Sequence, residues 1–151
     1  MPKPRYPKHL GDQAECAFLW QCLKRGLVVS KPVWGMAPYD FIVEVPDSKA
    51  IRRRGQRARV QRKLWRIQVK CTRTKYQCRY AIGAHGSAHR SYRLGEFDFF
   101  AAWVIPFDAW YIIPAAEVLP VTVFALFPHV QGSWGRYEKF REAWRLLGRR
   151  F

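Results

Sequence analysis

The chain has 151 residues, enough for one domain with a real hydrophobic core, and its 49 % hydrophobic and 16 % aromatic content excludes a disordered composition. No apolar run reaches the roughly 18 residues that a membrane-spanning helix requires, and the polar, proline-rich start MPKPRYPKHLGD lacks the apolar stretch of a signal peptide. The net charge of +16, from 27 Lys/Arg against 11 Asp/Glu, points to a polyanionic partner, with a solvated basic surface or attraction to a membrane surface as the blander readings; nothing in the sequence shows an amphipathic membrane helix.

In chain order, residues 1–10 read as an extended basic arm, and Asp12 as the cap of a helix through QAECAFLWQCLKRG. Ala14, Ala17, Phe18, Leu19, Cys22 and Leu23 supply its apolar stripe and Gly26 its stop. LVVSKPVW (27–34) reads as a short strand, and GMAPYDFIVEV (35–45) as a turn entering a second. Residues 46–63 form a basic hairpin tip or loop. The third strand covers 64–72 and a fourth 78–82. GAHGSAHRS (83–91) is a loop with glycines and two histidines, His85 and His89, open to a phosphate-contacting or a plain connecting role. FDFFAAWVI and WYIIP predict paired strands joined by PFDA, VTVFAL one strand more, and residues 136–150 an amphipathic C-terminal helix burying Tyr137, Phe140, Trp144 and Leu147.

The charge is localised. From Ser48 to Gly95 there is no acidic residue, and fifteen of the 27 cations fall there, leaving the rest of the chain close to neutral. Such a block favours nucleic acid through attraction to phosphate and counterion release. Arg52, Arg53, Arg54, Arg57, Arg59, Arg62 and Lys63 in the basic loop, with Arg73 and Lys75 just past the third strand, are the candidate phosphate contacts. Cys16, Cys22, Cys71 and Cys78 form no CxxC pair and have no histidine at zinc-finger spacing, so they read as reduced thiols of a cytoplasmic protein. Cys71 and Cys78 are expected to be packing residues.

With so few carboxylates, each can be weighed. Asp40 opens the strand DFIVEV, and period-two alternation puts Asp40, Ile42 and Glu44 on one face. Gln68 and Lys70 share a face of the next long strand, RIQVKCT. Pairing of these strands as a hairpin through the basic loop brings Asp40, Gln68 and Lys70 to one end of a sheet, where Glu15 on the first helix can join them. Carboxylate, amide and main-chain oxygens suit a hard cation such as Mg²⁺, with an ammonium beside it to stabilise developing negative charge. Asp98 reads either as a strand-start cap or as a polar group near this site, and Glu44 as one partner of a surface ion pair.

Glu15 on a helix, Pro38-Tyr39-Asp40 entering a strand and Gln68-Val69-Lys70 on the next strand resemble the PD-(D/E)xK nuclease superfamily. The resemblance is to its branch of small bacterial group I intron homing endonucleases, with archaeal Holliday-junction resolvases as more distant relatives. It is clearest over residues 11–75. It implies an α/β fold: a mixed central sheet flanked by helices, with an αβββαβ restriction-endonuclease-like core and additional C-terminal strands and helix. It also implies a metal site of Glu15, Asp40 and Gln68 with the Val69 carbonyl, Lys70 as catalytic lysine, and Mg²⁺ as cofactor with Mn²⁺ able to substitute. Two departures stand out. Gln68 occupies a position where an acid is common, and Tyr39 separates Pro38 from Asp40. The second core helix has no clear counterpart between residues 83 and 97.

The expected function is a metal-dependent endonuclease making site-specific double-strand cuts in DNA. One active site per fold calls for at least two protomers, a dimer or tetramer, to cut both strands. A structure-selective junction resolvase and a non-catalytic nucleic-acid-binding module remain the alternatives.

Overall fold

The computed structural model describes residues 6–46, 62–132 and 135–148. Helix α1 (Tyr6–Lys24) begins well before Asp12, which lies inside it rather than at its cap. Pro7 falls in the first turn, where a missing N–H forfeits no helical hydrogen bond. Residues 6–10, expected as part of an arm, are therefore helical. Ala14, Phe18 and Cys22, spaced by four, are fully buried and make the inward stripe, whereas Leu19 and Leu23, expected in it, are exposed. The helix stops at Gly26, as expected, and the φ of 62° there is left-handed.

Strands β1 (Val28–Ser30), β2 (Phe41–Pro46), β3 (Arg62–Thr72), β6 (Phe99–Val104) and β7 (Ala109–Pro114) form one mixed sheet in the order β1-β2-β3-β6-β7. The β2–β3 hairpin is antiparallel, in a register running from Phe41↔Ile67 to Pro46↔Arg62, so Arg62 and Lys63 belong to a strand and not to the basic loop. The remainder of that loop, with Arg52, Arg53, Arg54, Arg57 and Arg59, lies outside the described residues. Strand β3 then runs parallel to β6, and β6 turns back antiparallel into β7, the pairing expected from their apolar runs.

Alternation divides the core. Phe41, Val43, Val45, Ile67, Val69, Ala101, Trp110 and Ile112 pack with the α1 stripe on one side of the sheet. Phe100, Ala102, Val104, Tyr111 and Ile113 pack on the other against a second sheet, made of β4 (Lys75–Tyr76), β5 (Arg79–Gly83) and β8 (Val123–Leu126) in that order. Phe18 anchors the helix side, with ring centroids 5.4 Å from Phe41 and 5.9 Å from Trp144.

Two expected helices are absent. The crossover from β3 to β6 carries β4, β5 and a 3₁₀ turn at Ser87–His89 in place of the second core helix. Tyr80 and Ile82 alternate with more exposed neighbours as a strand requires, and Ala88 and His89 take positive φ values, which interrupt a helix. The C-terminal stretch forms two 3₁₀ turns, Glu138–Phe140 and Trp144–Leu146, instead of an amphipathic helix. Tyr137, Phe140, Trp144 and Leu147 are all buried, as their spacing demands, but an unpaired sheet edge sets the backbone. The Glu142 N–H donates to the Trp110 carbonyl at 2.7 Å, and its carboxylate accepts from Trp110 N and Trp144 Nε1, both at 2.8 Å. The segment thereby satisfies the outer edge of β7. Residues 149 and 150, the end of the expected helix, lie outside the described residues.

Candidate active site

The β2–β3 ladder ends at Phe41↔Ile67, and β3 continues for five residues without β2 beside it. The Asp40 N–H still donates to the Ile67 carbonyl at 2.8 Å. The Asp40 side chain then takes the place of the missing strand: its Oδ2 accepts the Val69 N–H at 2.7 Å. The same oxygen accepts the Gln68 side-chain amide at 2.6 Å, and that Nε2 also lies 3.3 Å from the Val69 carbonyl. A carboxylate oxygen and a main-chain carbonyl thus converge on one point, held by an N–H donor. Gln68 is the one buried polar residue among those described, and a buried amide needs such partners.

Burial pushes the Asp40 carboxyl up to about 6. The Val69 N–H works against this shift, Glu15 adds to it by repulsion, and Lys70 and Lys31 oppose it. Lys70 leans to the other side of the cleft, donating to the His85 carbonyl at 2.9 Å with its ammonium 5.3 Å from the Tyr92 ring centroid. Its pKa is lowered by burial, against the pull of Asp40. These groups share a cleft of about 340 Å³ with residues 35–38 on one wall and Gly86, Arg90 and Tyr92 on the other.

Asp40, Gln68, Val69 and Lys70 are therefore brought together. Glu15 is not hydrogen-bonded to them; it pairs with Lys31 at 2.5 Å and acts on Asp40 through its charge. Among the described residues no cluster of three or more His, Cys, Asp or Glu converges. A cation here would draw on Asp40, the Val69 carbonyl and the Gln68 amide oxygen, with Glu15 in electrostatic reach. The two converging oxygens fit a hard cation, and rotation of the Gln68 amide would exchange its nitrogen for a third oxygen donor.

Other residues read from the sequence have separate duties. Asp98 is a strand-start tie: it accepts from Arg66 N at 2.8 Å and pairs with its guanidinium at 3.0 Å, joining β6 to β3. Glu44 pairs with Arg62, and Lys63 lies 3.9 Å from the Trp65 ring centroid, so both cations at the start of β3 already have partners. Arg73 and Lys75 are exposed beyond its end. Cys71 is half-buried, but Cys78, expected to pack, is exposed. Lys31, Arg90 and Tyr92 join the site without any local sequence signal. They arrive through the β1–β2 connection and the crossover, and only the glycine- and histidine-bearing loop hints at the second wall.

The structure of a bacterial homing endonuclease, I-Ssp6803I, matches with a TM-score of 0.69 over 93 % of this chain and 90 % of that one, at 24 % sequence identity. At that identity the likeness establishes the fold. No curated protein matches. The model of a family described as PD-(D/E)XK endonuclease matches residues 6–143. That span runs from the first turn of α1 to the segment that closes the edge of β7, with the whole cleft between them, and the chain belongs to the PD-(D/E)XK endonuclease family.

Proposed function

We propose that this protein is a divalent-metal-dependent endonuclease that cuts both strands of a specific site in duplex DNA, in the manner of intron homing, working as a homo-oligomer with Mg²⁺ as its ion and Mn²⁺ as a substitute. The observation that carries the reading is the convergence of the Asp40 carboxylate and the Val69 carbonyl on one point beside the Lys70 ammonium. Asp40, Val69 and Gln68 would hold the ion, with Glu15 contributing charge. When bound, such an ion polarises the scissile phosphate and lowers the pKa of a coordinated water. Lys70, aimed across the cleft by the His85 carbonyl, stabilises the charge that develops on the phosphate oxygens. Arg90 on the facing wall is oriented by its pair with Glu96 at 2.8 Å and supplies a second positive charge along the backbone.

The endonuclease family supports a DNA substrate, and the localised positive charge supports a long interface with phosphates. Cutting both strands from one active site per chain requires a second copy related by symmetry. The test is cleavage of duplex DNA in Mg²⁺ by the parent, Asp40→Ala and Lys70→Ala. Both variants should bind DNA as the parent does and lose about 10²–10³-fold or more in cleavage rate. Parent-like cleavage by Lys70→Ala would sink the reading.

A further inference from the structure

The β1–β2 connection carries the barest large apolar side chains of the described residues. Val33 is 85 % exposed, Trp34 78 % and Met36 93 %. Three such residues within four positions are not an ordinary surface and mark a place where something docks. The same connection forms a wall of the active-site cleft through residues 35–38, facing Arg90 and Tyr92. A phosphodiester that reaches Asp40 must pass between these walls. Met36 lines that cleft and Trp34 stands two residues before it, so a duplex entering the cleft passes beside both side chains. The charges agree: no acid lies between Lys31 and Asp40, and the cleft that Met36 lines also holds the Lys70 ammonium and Arg90, the latter in a pair with Glu96. Apolar tips flanked by cations match a duplex, whose apolar base stack lies inside a charged backbone.

We propose that Trp34 and Met36 form a wedge that enters the base stack of duplex DNA beside the scissile phosphate, unstacking one step and bending the duplex into the cleft. This rests on the endonuclease reading of the cleft and adds a source of specificity to it. Apolar wedges kink DNA by on the order of 20–90°. Flexible pyrimidine–purine steps yield at the lowest cost, so the wedge creates a preference at bases that no side chain reads by hydrogen bonding.

The test uses duplexes selected by the full chain from a randomised library in Ca²⁺. One carries 2-aminopurine scanned through the selected site, and another a donor–acceptor dye pair at its ends. The parent should raise 2-aminopurine fluorescence several-fold at one step and shorten the end-to-end distance. The Trp34→Ala/Met36→Ala double variant should still bind by anisotropy and lose both signals, whereas Trp34→Leu/Met36→Leu keeps them. The absence of a rise at every scanned position with the parent, or its persistence in the alanine variant, overturns the wedge. So does an alanine variant that changes oligomeric mass by light scattering while the fluorescence rise remains. Asp40→Ala separates the two ideas, because it should keep the rise while losing cleavage; parent-like cutting by Asp40→Ala would remove the active-site reading and leave the wedge to be judged on the fluorescence.

Discussion

The Asp40 Oδ2 accepts two N–H donors, yet burial pushes its carboxyl up to about 6. The sign of the linkage follows. A folded-state pKa above the unfolded one means that the native protein binds more protons across that window, so this group's contribution to stability falls as pH rises toward 6. A divalent ion reverses the penalty, because it binds the ionised form. Metal affinity should therefore climb with pH up to about 6 and level off above it, with a proton released in the lower range. Titration calorimetry in two buffers of different ionisation heat should show release approaching one proton at about pH 5.5 and far less at neutral pH; no release at the lower value would mean that Asp40 is not a ligand. Gln68 is the other lever. Gln68→Glu places a second carboxylate where the amide now lies 2.6 Å from Asp40 Oδ2. Repulsion should lower the melting temperature of the metal-free protein, and the rise on adding Ca²⁺ should exceed that of the parent. An equal rise would show that residue 68 does not face the ion. Asp40, Gln68 and Lys70 are legible in the sequence because a period-two strand leaves little freedom in side-chain direction. Lys31, which acts on Asp40 through its charge, and Arg90 and Tyr92, which line the cleft, are not, because they arrive through connections whose paths no periodicity encodes.

Periodicity reports which side chains are buried, and it reports the backbone that buries them less well. Strands β6 and β7 are readable because apolar residues continuous along both faces, joined by a short turn, leave few other arrangements. The spacing of Tyr137, Phe140, Trp144 and Leu147 correctly names four buried residues, but 3₁₀ turns and an extended step place them, fixed by hydrogen bonds to the edge of β7 that sequence spacing cannot contain. The start of α1 is hard to read because a proline in a first turn looks like a proline in an arm. Gly148 shows the same ambiguity. Its place near the end of the 136–150 stretch suits a helix stop, but a Cβ there would lie 2.5 Å from Val45 Cγ1, so the glycine is needed for close packing against β2. Gly148→Ala should cost about 1–3 kcal/mol, as overpacking does. Combining it with Val45→Ala should recover part of that stability, a coupling that urea denaturation of the two single variants and the double variant would measure. Strict additivity would place the clash elsewhere.

At the scale of the whole molecule, the strand that carries Gln68 and Lys70 also sets the distance between the proposed site and the start of the basic loop. Strand β2 ends at Pro46 and β3 starts opposite it at Arg62, so the basic loop joins the sheet at one end of β3, while Lys70 lies near the other. At about 3.3 Å per residue, these points are roughly 26 Å apart. That distance corresponds to roughly eight base pairs at 3.4 Å each along a strand. The loop cations Arg52, Arg53, Arg54, Arg57 and Arg59 lie outside the described residues, whereas Arg73 and Lys75 lie just past the end of β3 that carries Lys70. The two groups should separate experimentally. Replacing Arg52, Arg53 and Arg54 by alanine should lower the slope of log K against log salt by about one for each phosphate that is no longer neutralised. The single-turnover cleavage rate at saturating protein should stay unchanged. Replacing Arg73 and Lys75 should lower both the slope and that rate, since a backbone held loosely next to Asp40 and Lys70 reaches the reactive geometry less often. Equal salt slopes for the parent and the Arg52–Arg54 variant would remove the loop from the interface, and the charge block would then act by long-range attraction alone.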